Sequence, residues 1–244
     1  MACSSAQTRG RKFVNPVTQN RILAAQEAHA LWAESYDRSP NPLLALEERI
    51  VEPLLPSLEQ KVVLDLACGT GRWLGHLLWH GASVGVGVDS SPEMLSQARR
   101  KSSIQGKLIQ GDCTAMPIRA GAIDFAICSF ATSYFADLPG FARELSRVTR
   151  RPASLLIADF HPSAHLRGWK RAFRHDDTVV EVRSFQYSID HICDVFADHG
   201  FELKTRVEAS FAETERHIFE ECGKGDLLDQ LSSEPAIFIC HFQI

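Results

Sequence analysis

From about Gln19 the chain reads as helix: RILAAQEAHALWAESYD spaces its apolar residues three and four positions apart, and NPLLALEERIVEPLLPSL repeats the habit after a proline-rich turn. The pattern then changes. Short β-branched and aliphatic runs near 61–66, 83–88, 107–110, 123–129 and 153–159 alternate with helix-spaced segments near 71–80, 92–102 and 138–149. Boundary residues agree with these limits, since Ser91 can cap a helix that has Pro92 at its first position and Glu93 in its first turn. Past Phe160 the rhythm lapses until SIDHICDVFADHG, an amphipathic helix closed by Gly200, and FELKTRVEAS and AIFICHFQI read as two final strands.

Strand-helix alternation predicts an α/β fold: a Rossmann-like, doubly wound sheet of seven strands, mostly parallel, with helices on both faces. The last two strands are joined without a clear helix, which predicts an antiparallel edge. Residues 1–18 are expected to be disordered and 19–244 to form a single domain. Within it, 19–58 form an N-terminal helical cap, and 160–187 form an insertion of the kind that covers a substrate.

Composition narrows the function classes. The 244 residues are 45% hydrophobic, enough for one large core, and the net charge of −4 with no concentrated basic run disfavours nucleic acid as a partner. Seven cysteines without a CxxC spacing read as reduced thiols, hence a cytoplasmic protein. No apolar run is long enough to span a membrane, and MACSSAQTRGRKFV lacks the apolar core of a secretory signal. The ten histidines show neither HExxH nor a His-Cys spacing, so no metal site is expected. A homodimer is left open.

The chemistry concentrates in VVLDLACGTGRW, Val62 to Trp73. A strand ending at Asp65 leads into Gly69 and Gly71, where the backbone can turn tightly and approach a ligand at the crevice beyond the strand ends. The next strand ends at Asp89, where a carboxylate can accept from both hydroxyls of a ribose, and the third at Asp112, where it can accept from the exocyclic amine of a purine. A carboxylate beside the turn repels a pyrophosphate and suits an ammonium group. Gly69, Gly71 and Gly75 followed by Asp89 also fit a loose dinucleotide pattern, but Asp65 and Asp112 weigh toward a nucleoside with an amine-bearing, unphosphorylated tail. S-adenosylmethionine has that description.

DLACGTG, VGVDSSPEML, GDCTAMP and AIDFAICSFATSYFAD together resemble the class I S-adenosylmethionine-dependent methyltransferases, in the manner of the ubiquinone and menaquinone C-methyltransferases and the malonyl-carrier-protein O-methyltransferases. The resemblance runs from about Val62 to Asp159. It departs from the family at Ala67, where a glycine is usual and where a methyl group should crowd the turn, and at RRPAS, Arg150 to Ser154, in place of a KPGG turn. It implies that Asp65 and the backbone of Ala67, Cys68, Gly69 and Gly71 hold the methionine end. Asp89 with Ser90 would take the ribose, Met94 the adenine face, Asp112 with the Cys113 amide the adenine edge, and Ser129 the aminoacyl part. Tyr36 would close over the cofactor and Arg72 pair with its carboxylate.

The expected reaction is in-line methyl transfer to a small organic molecule, with oxygen favoured. RNA methylation is the alternative within the class, and binding of the cofactor for structure or for a rearrangement without methyl transfer is the alternative outside it. His161, following the fifth strand, is the candidate general base, against a reading in which it only caps the next turn. Tyr134 either hydrogen-bonds substrate or packs.

Overall fold

A computed structural model describes residues 19–104 and 107–244, so the expectation for residues 1–18 lies outside the described part. The described part opens with β1 (Gln19–Leu23), α1 (Ala25–Trp32) and α2 (Pro42–Val51). The strand-helix alternation follows as β2 (Val62–Leu66), α3 (Arg72–Trp79), β3 (Val84–Asp89), α4 (Pro92–Ala98), β4 (Leu108–Gln110), β5 (Ile123–Ser129) and α5 (Leu138–Val148). Then come β6 (Thr149–Phe160), α6 (Pro162–Leu166), β7 (Ala172–His175), β8 (Thr178–Val182), α7 (Ile189–Asp198) and β9 (Glu202–Ala209). The short helices α8 (Arg216–Glu221) and α9 (Leu228–Leu231) precede β10 (Ile237–Gln243).

Seven strands form one sheet in the order β4-β3-β2-β5-β6-β10-β9. Antiparallel pairing is confined to one margin, where β10 runs against both β6 and β9. Alternation along the central strands sends Leu64, Ala126, Cys128 and Ile157 to one face, under Phe141 and Leu145 of α5 and Ile192 and Phe196 of α7. It sends Val63, Phe125, Ile127 and Leu156 to the other, under Leu46 of α2 and Trp73 and Leu77 of α3. A sheet covered on both faces needs near-continuous apolar strands, and β5 accordingly has six consecutive buried positions. Side chains start the helices: Ser91, the cap that the sequence predicts, accepts from Met94 N, and Asp137 and Ser188 accept from Gly140 N and His191 N.

Two segments differ from the sequence reading. Residues 19–58 are not wholly helical, because Gln19–Leu23 form a strand that pairs in parallel with β8, Gln19 against Thr178 through Leu23 against Val182. The 160–187 insertion is not irregular either: it carries α6 and the antiparallel β7-β8 pair. Together β1, β8 and β7 make a second, three-stranded sheet whose small core joins Ala28 of α1 to Phe173, Val180 and Val182. This sheet and α1, referred to as the lid, form a unit whose helix borders the crevice beyond the main strands through Gln26 and His29.

Candidate active site

Beside the switch point of the sheet, adjacent strands β2 and β5 end in the same way. Ala67, the residue after β2, has φ +48°, and Phe130, the residue after β5, has φ +52°. Both lie in the left-handed region that side chains avoid, so the two neighbouring strands turn abruptly out of the sheet and leave a crevice between them. Gly69 (φ +54°) continues the first turn, and a Cβ there would meet no atom within 4 Å. It would project into open space, as expected of backbone that borders a ligand. Gly71 (φ +76°) is small for another reason, because a Cβ would stand 2.4 Å from the Ile104 side chain.

The crevice is a cavity of about 510 Å³, within the ~300–1,000 Å³ usual for small-molecule sites. Of the residues the sequence singles out, Tyr36, Ala67, Gly69, Asp89, Ser90, Met94, Asp112, Cys113, Ser129 and Tyr134 line it. Asp89 is buried and fixed by two amides, Gly69 N at 2.7 Å and Ser91 N at 2.8 Å. Burial raises its pKa, and each carboxylate oxygen keeps a lone pair for a ligand. Asp112 Oδ1 accepts from the amide and hydroxyl of Thr114, both at 2.8 Å, which holds the carboxylate at the rim. Burial pushes the Cys113 thiol up to about 12, so it is a neutral wall group rather than a nucleophile.

Asp65, Cys68, Gly71, Arg72 and His161 do not line the cavity, contrary to their expected contacts. The Asp65 carboxylate turns into α3 and accepts from Leu74 N at 2.8 Å; burial pushes it up to about 7 although that amide and Arg72 favour its ionised form. Arg72 pairs with the fully buried Glu47 of α2 and donates to Ser129 Oγ at 3.2 Å, placing its charge one residue behind the wall. Glu47 also accepts from Trp73 Nε1 at 2.9 Å. His161 caps α6: Nδ1 accepts from Ser163 N at 3.2 Å and lies 2.7 Å from Ser163 Oγ, while Nε2 lies 2.8 Å from Glu208 Oε2. Both ring nitrogens are engaged away from the cavity, so the expectation of a base at His161 gives way to the capping role.

The lid supplies what the sequence did not single out. Gln26 and His29 of α1 line the same cavity, and the segment behind them is latched to the glycine turn, Thr70 Oγ1 donating to Asp37 Oδ1 at 2.7 Å. Lys101 pairs with the other oxygen of Asp37 at 2.9 Å. Burial pushes Tyr36 up to about 12, so its hydroxyl stays a donor. His29 packs edge-on to Tyr134 with ring centroids 5.0 Å apart. Burial, reinforced by the charge of Arg171, holds it down to about 4, and among the described residues its ring nitrogens have no hydrogen-bond partner. Arg171 is itself buried against Asp159, donates to Phe130 O at 3.0 Å, and lies over the rings of Tyr134 and Phe160 at 5.2 and 4.2 Å. That pair also borders a second cavity of about 250 Å³ between Phe160, His165, Phe185 and Tyr187. Nothing in the local sequence marks His29; its role follows from where the lid packs.

Known proteins resemble this chain in sequence and in fold. A family described as a methyltransferase domain matches residues 63–152. The chain is 29% identical over 181 residues to a malonyl-[acyl-carrier protein] O-methyltransferase of Pectobacterium atrosepticum, covering 72% of this chain and 69% of that one. It is 38% identical over 108 residues to a demethylmenaquinone methyltransferase of Thermus thermophilus, a match spanning 42% of this chain and about half, 48%, of the relative. In fold it is similar to an S-adenosylmethionine dependent methyltransferase from Mesorhizobium loti, with a TM-score of 0.65 at 18% identity over 84% of this chain and 100% of the other. These matches, with the seven-stranded sheet, the strand-end acids and the glycine turn at the switch point, support a class I S-adenosylmethionine-dependent methyltransferase.

Proposed function

We propose that this enzyme methylates an oxygen of a small organic acceptor, a carboxylate or an acidic hydroxyl, held under the lid next to His29 and Tyr134. S-adenosylmethionine, when bound, supplies an electrophilic methyl group on a sulfonium. In this reading Asp89, held by the Gly69 and Ser91 amides, takes the ribose hydroxyls, Met94 packs on the adenine, and Asp112 with the Cys113 amide reads its edge. Ser129 and Tyr36 take the aminoacyl end. Asp65 and Arg72 act from behind the wall by positioning α3 and Ser129.

The observation that carries the acceptor assignment is the unpartnered, neutral His29 in the wall. A group with a pKa near 4 is a poor base for an alcohol of high pKa, because Brønsted behaviour favours a base matched to the proton it takes. It serves an acceptor oxygen that is already ionised or nearly so: the ring holds that oxygen, and Arg171 one layer behind attracts its charge. An anion beside His29 raises the pKa of the ring toward neutrality, which improves it as a base where one is needed. The Tyr134 hydroxyl, kept neutral by burial, is the donor that orients the acceptor. A lid closed over bound ligands would keep bulk water from the reacting atoms, and a net charge of −4 argues against an RNA acceptor.

Incubation with methyl-labelled donor and panels of small acids, phenols, alcohols and amines tests this reading. Labelled ester or ether products from the acids or phenols are expected. His29→Ala should lower turnover about 10²-fold, at the low end for a general base, with S-adenosylhomocysteine affinity kept. Transfer to amines alone, or undiminished turnover in the variant, contradicts it.

A further inference from the structure

The side of α3 away from the cavity carries a second set of chemistry-bearing residues. Arg72, His76 and His80 stand four apart along one ridge, and Glu48 and Glu52, at the end of α2 and in the single turn of 3₁₀ helix after it, form the facing ridge. The two ridges meet without hydrogen bonding. His76 Nδ1 and His80 Nε2 both lie 3.8 Å from Glu52 Oε1, and His76 Nε2 lies 3.7 Å from Glu48 Oε2. One ligating atom from each of Glu52, His76 and His80 falls within 4.8 Å of the other two. These are loose ion-pair distances, longer than the ~2.7–3.2 Å of a hydrogen bond, so the side chains converge without being locked to one another.

We infer that Glu52, His76 and His80 form a binding site for a divalent transition-metal ion of the zinc class. Imidazole nitrogen and carboxylate oxygen bind zinc at about 2.0–2.2 Å, which sets ligand atoms of a tetrahedral ion ~3.4 Å apart, so Glu52 and each histidine, now 3.8 Å apart, need close by a few tenths of an ångström, and the two histidines, within 4.8 Å, by about 1 Å. All three side chains are partly exposed and free to make that move. His76 points Nδ1 at the site and Nε2 at Glu48. A metal-ligating histidine commonly donates its other N–H to a carboxylate, and Glu48 stands in that place. Two imidazoles suit zinc, copper or nickel and disfavour magnesium or calcium. None of the three ligands lines the methyltransferase cavity, so the ion is a clip between α2 and α3, with a fourth position left to water. The spacing of His76 and His80 alone does not reveal it, because Glu52 comes from a different helix.

Titration of chelator-treated full-length protein with zinc, followed by calorimetry and thermal unfolding, tests the site. One ion per chain and a raised melting temperature are expected. His80→Ala and Glu52→Gln, both at exposed positions, should weaken zinc binding at least tenfold while leaving S-adenosylhomocysteine affinity unchanged. Cobalt should give a spectrum without the thiolate charge-transfer bands of a cysteine site. Failure of zinc to saturate the wild-type protein, wild-type affinity in both variants, or thiolate bands with cobalt would overturn the assignment.

Discussion

Ala67 holds a left-handed conformation that costs an alanine about 1–2 kcal/mol, and it does so where the chain leaves the sheet for the cavity. Glycine loses about 0.4–1 kcal/mol through its freer unfolded chain, so Ala67→Gly should stabilise the protein by roughly 0.5–1 kcal/mol, read as a higher denaturant midpoint at unchanged slope. A lower midpoint would mean that the methyl group is packed rather than strained. Asp65 and His29 give the fold opposite pH dependences. Burial puts folded Asp65 at about 7 against ~3.9 for a free carboxyl, so its contribution is full below about pH 4 and is lost as pH rises through about 7. His29 is lowered to about 4 from 6.5, so its contribution is present above about pH 6.5 and is lost as pH falls toward 4. Between these limits the two oppose each other. Asp65→Asn, whose amide oxygen still accepts from Leu74 N, should leave stability rising with pH by up to ~1.4 kcal/mol per unit, and His29→Gln should leave it falling. Urea midpoints from pH 4.5 to 6.5 decide this, and the same slope in both variants would refute it. The strand-end acids were legible because strand ends face the crevice in any doubly wound sheet. The direction of each carboxylate was not: Asp65 turns to an amide of α3, a choice made by packing.

At the scale of elements, the latch between Asp37 and the glycine turn decides how the lid sits on the cofactor loop. Asp37 follows α1 and takes Thr70 Oγ1 on one oxygen and Lys101 on the other, so it joins the lid to both the glycine turn and the segment after α4. Hydrogen bonds to a charged group are worth ~1.5–3 kcal/mol, less when exposed, and Asp37 is 42% exposed. Asp37→Ala should therefore weaken S-adenosylhomocysteine binding about tenfold, mainly through faster dissociation, with global stability changed by no more than about 0.5 kcal/mol. Unchanged affinity would show that the lid holds its position without the latch. The elements that local pattern predicted are the seven strands of the main sheet and the helices α1, α2, α3, α4, α5 and α7. β1 escaped because QNRIL has no alternation to read and becomes a strand only by pairing with β8, far along the chain. β7 and β8 lie in a stretch whose apolar residues, Phe173, Val180 and Val182, face a core that α1 completes.

The described chain carries two sheets with separate cores, and the cavity is lined by α1 and Tyr36 on one side and by the ends of the main strands on the other. The main sheet has its own cores on both faces, whereas among the described residues the lid's fully buried core is Ala28, Phe173, Val180 and Val182, with Trp32 stacked on Phe173 at 4.5 Å and an interplanar angle of 5°. So small a core cannot match the stability of the larger body, and the lid should open as a separate unit with its own lower free energy. Full burial makes Trp→Ala cost ~3–5 kcal/mol; Trp32 is only partly buried, so about 2 kcal/mol is the reasonable loss. Trp32→Ala should then speed amide exchange in β1, β7 and β8 by roughly 30-fold, since 1.4 kcal/mol is a factor of ten, and leave β2 and β5 at wild-type rates. A ligand in the cavity touches both bodies, because Gln26, His29 and Tyr36 line it from one side and Gly69, Asp89 and Met94 from the other. Saturating S-adenosylhomocysteine should therefore slow exchange in the lid strands of the wild-type protein and recover much of the loss in the variant. If lid and sheet amides instead accelerate together when Trp32 is removed, the two sheets are one cooperative unit, and cofactor entry must proceed through the rim at Asp112 rather than by opening of the lid.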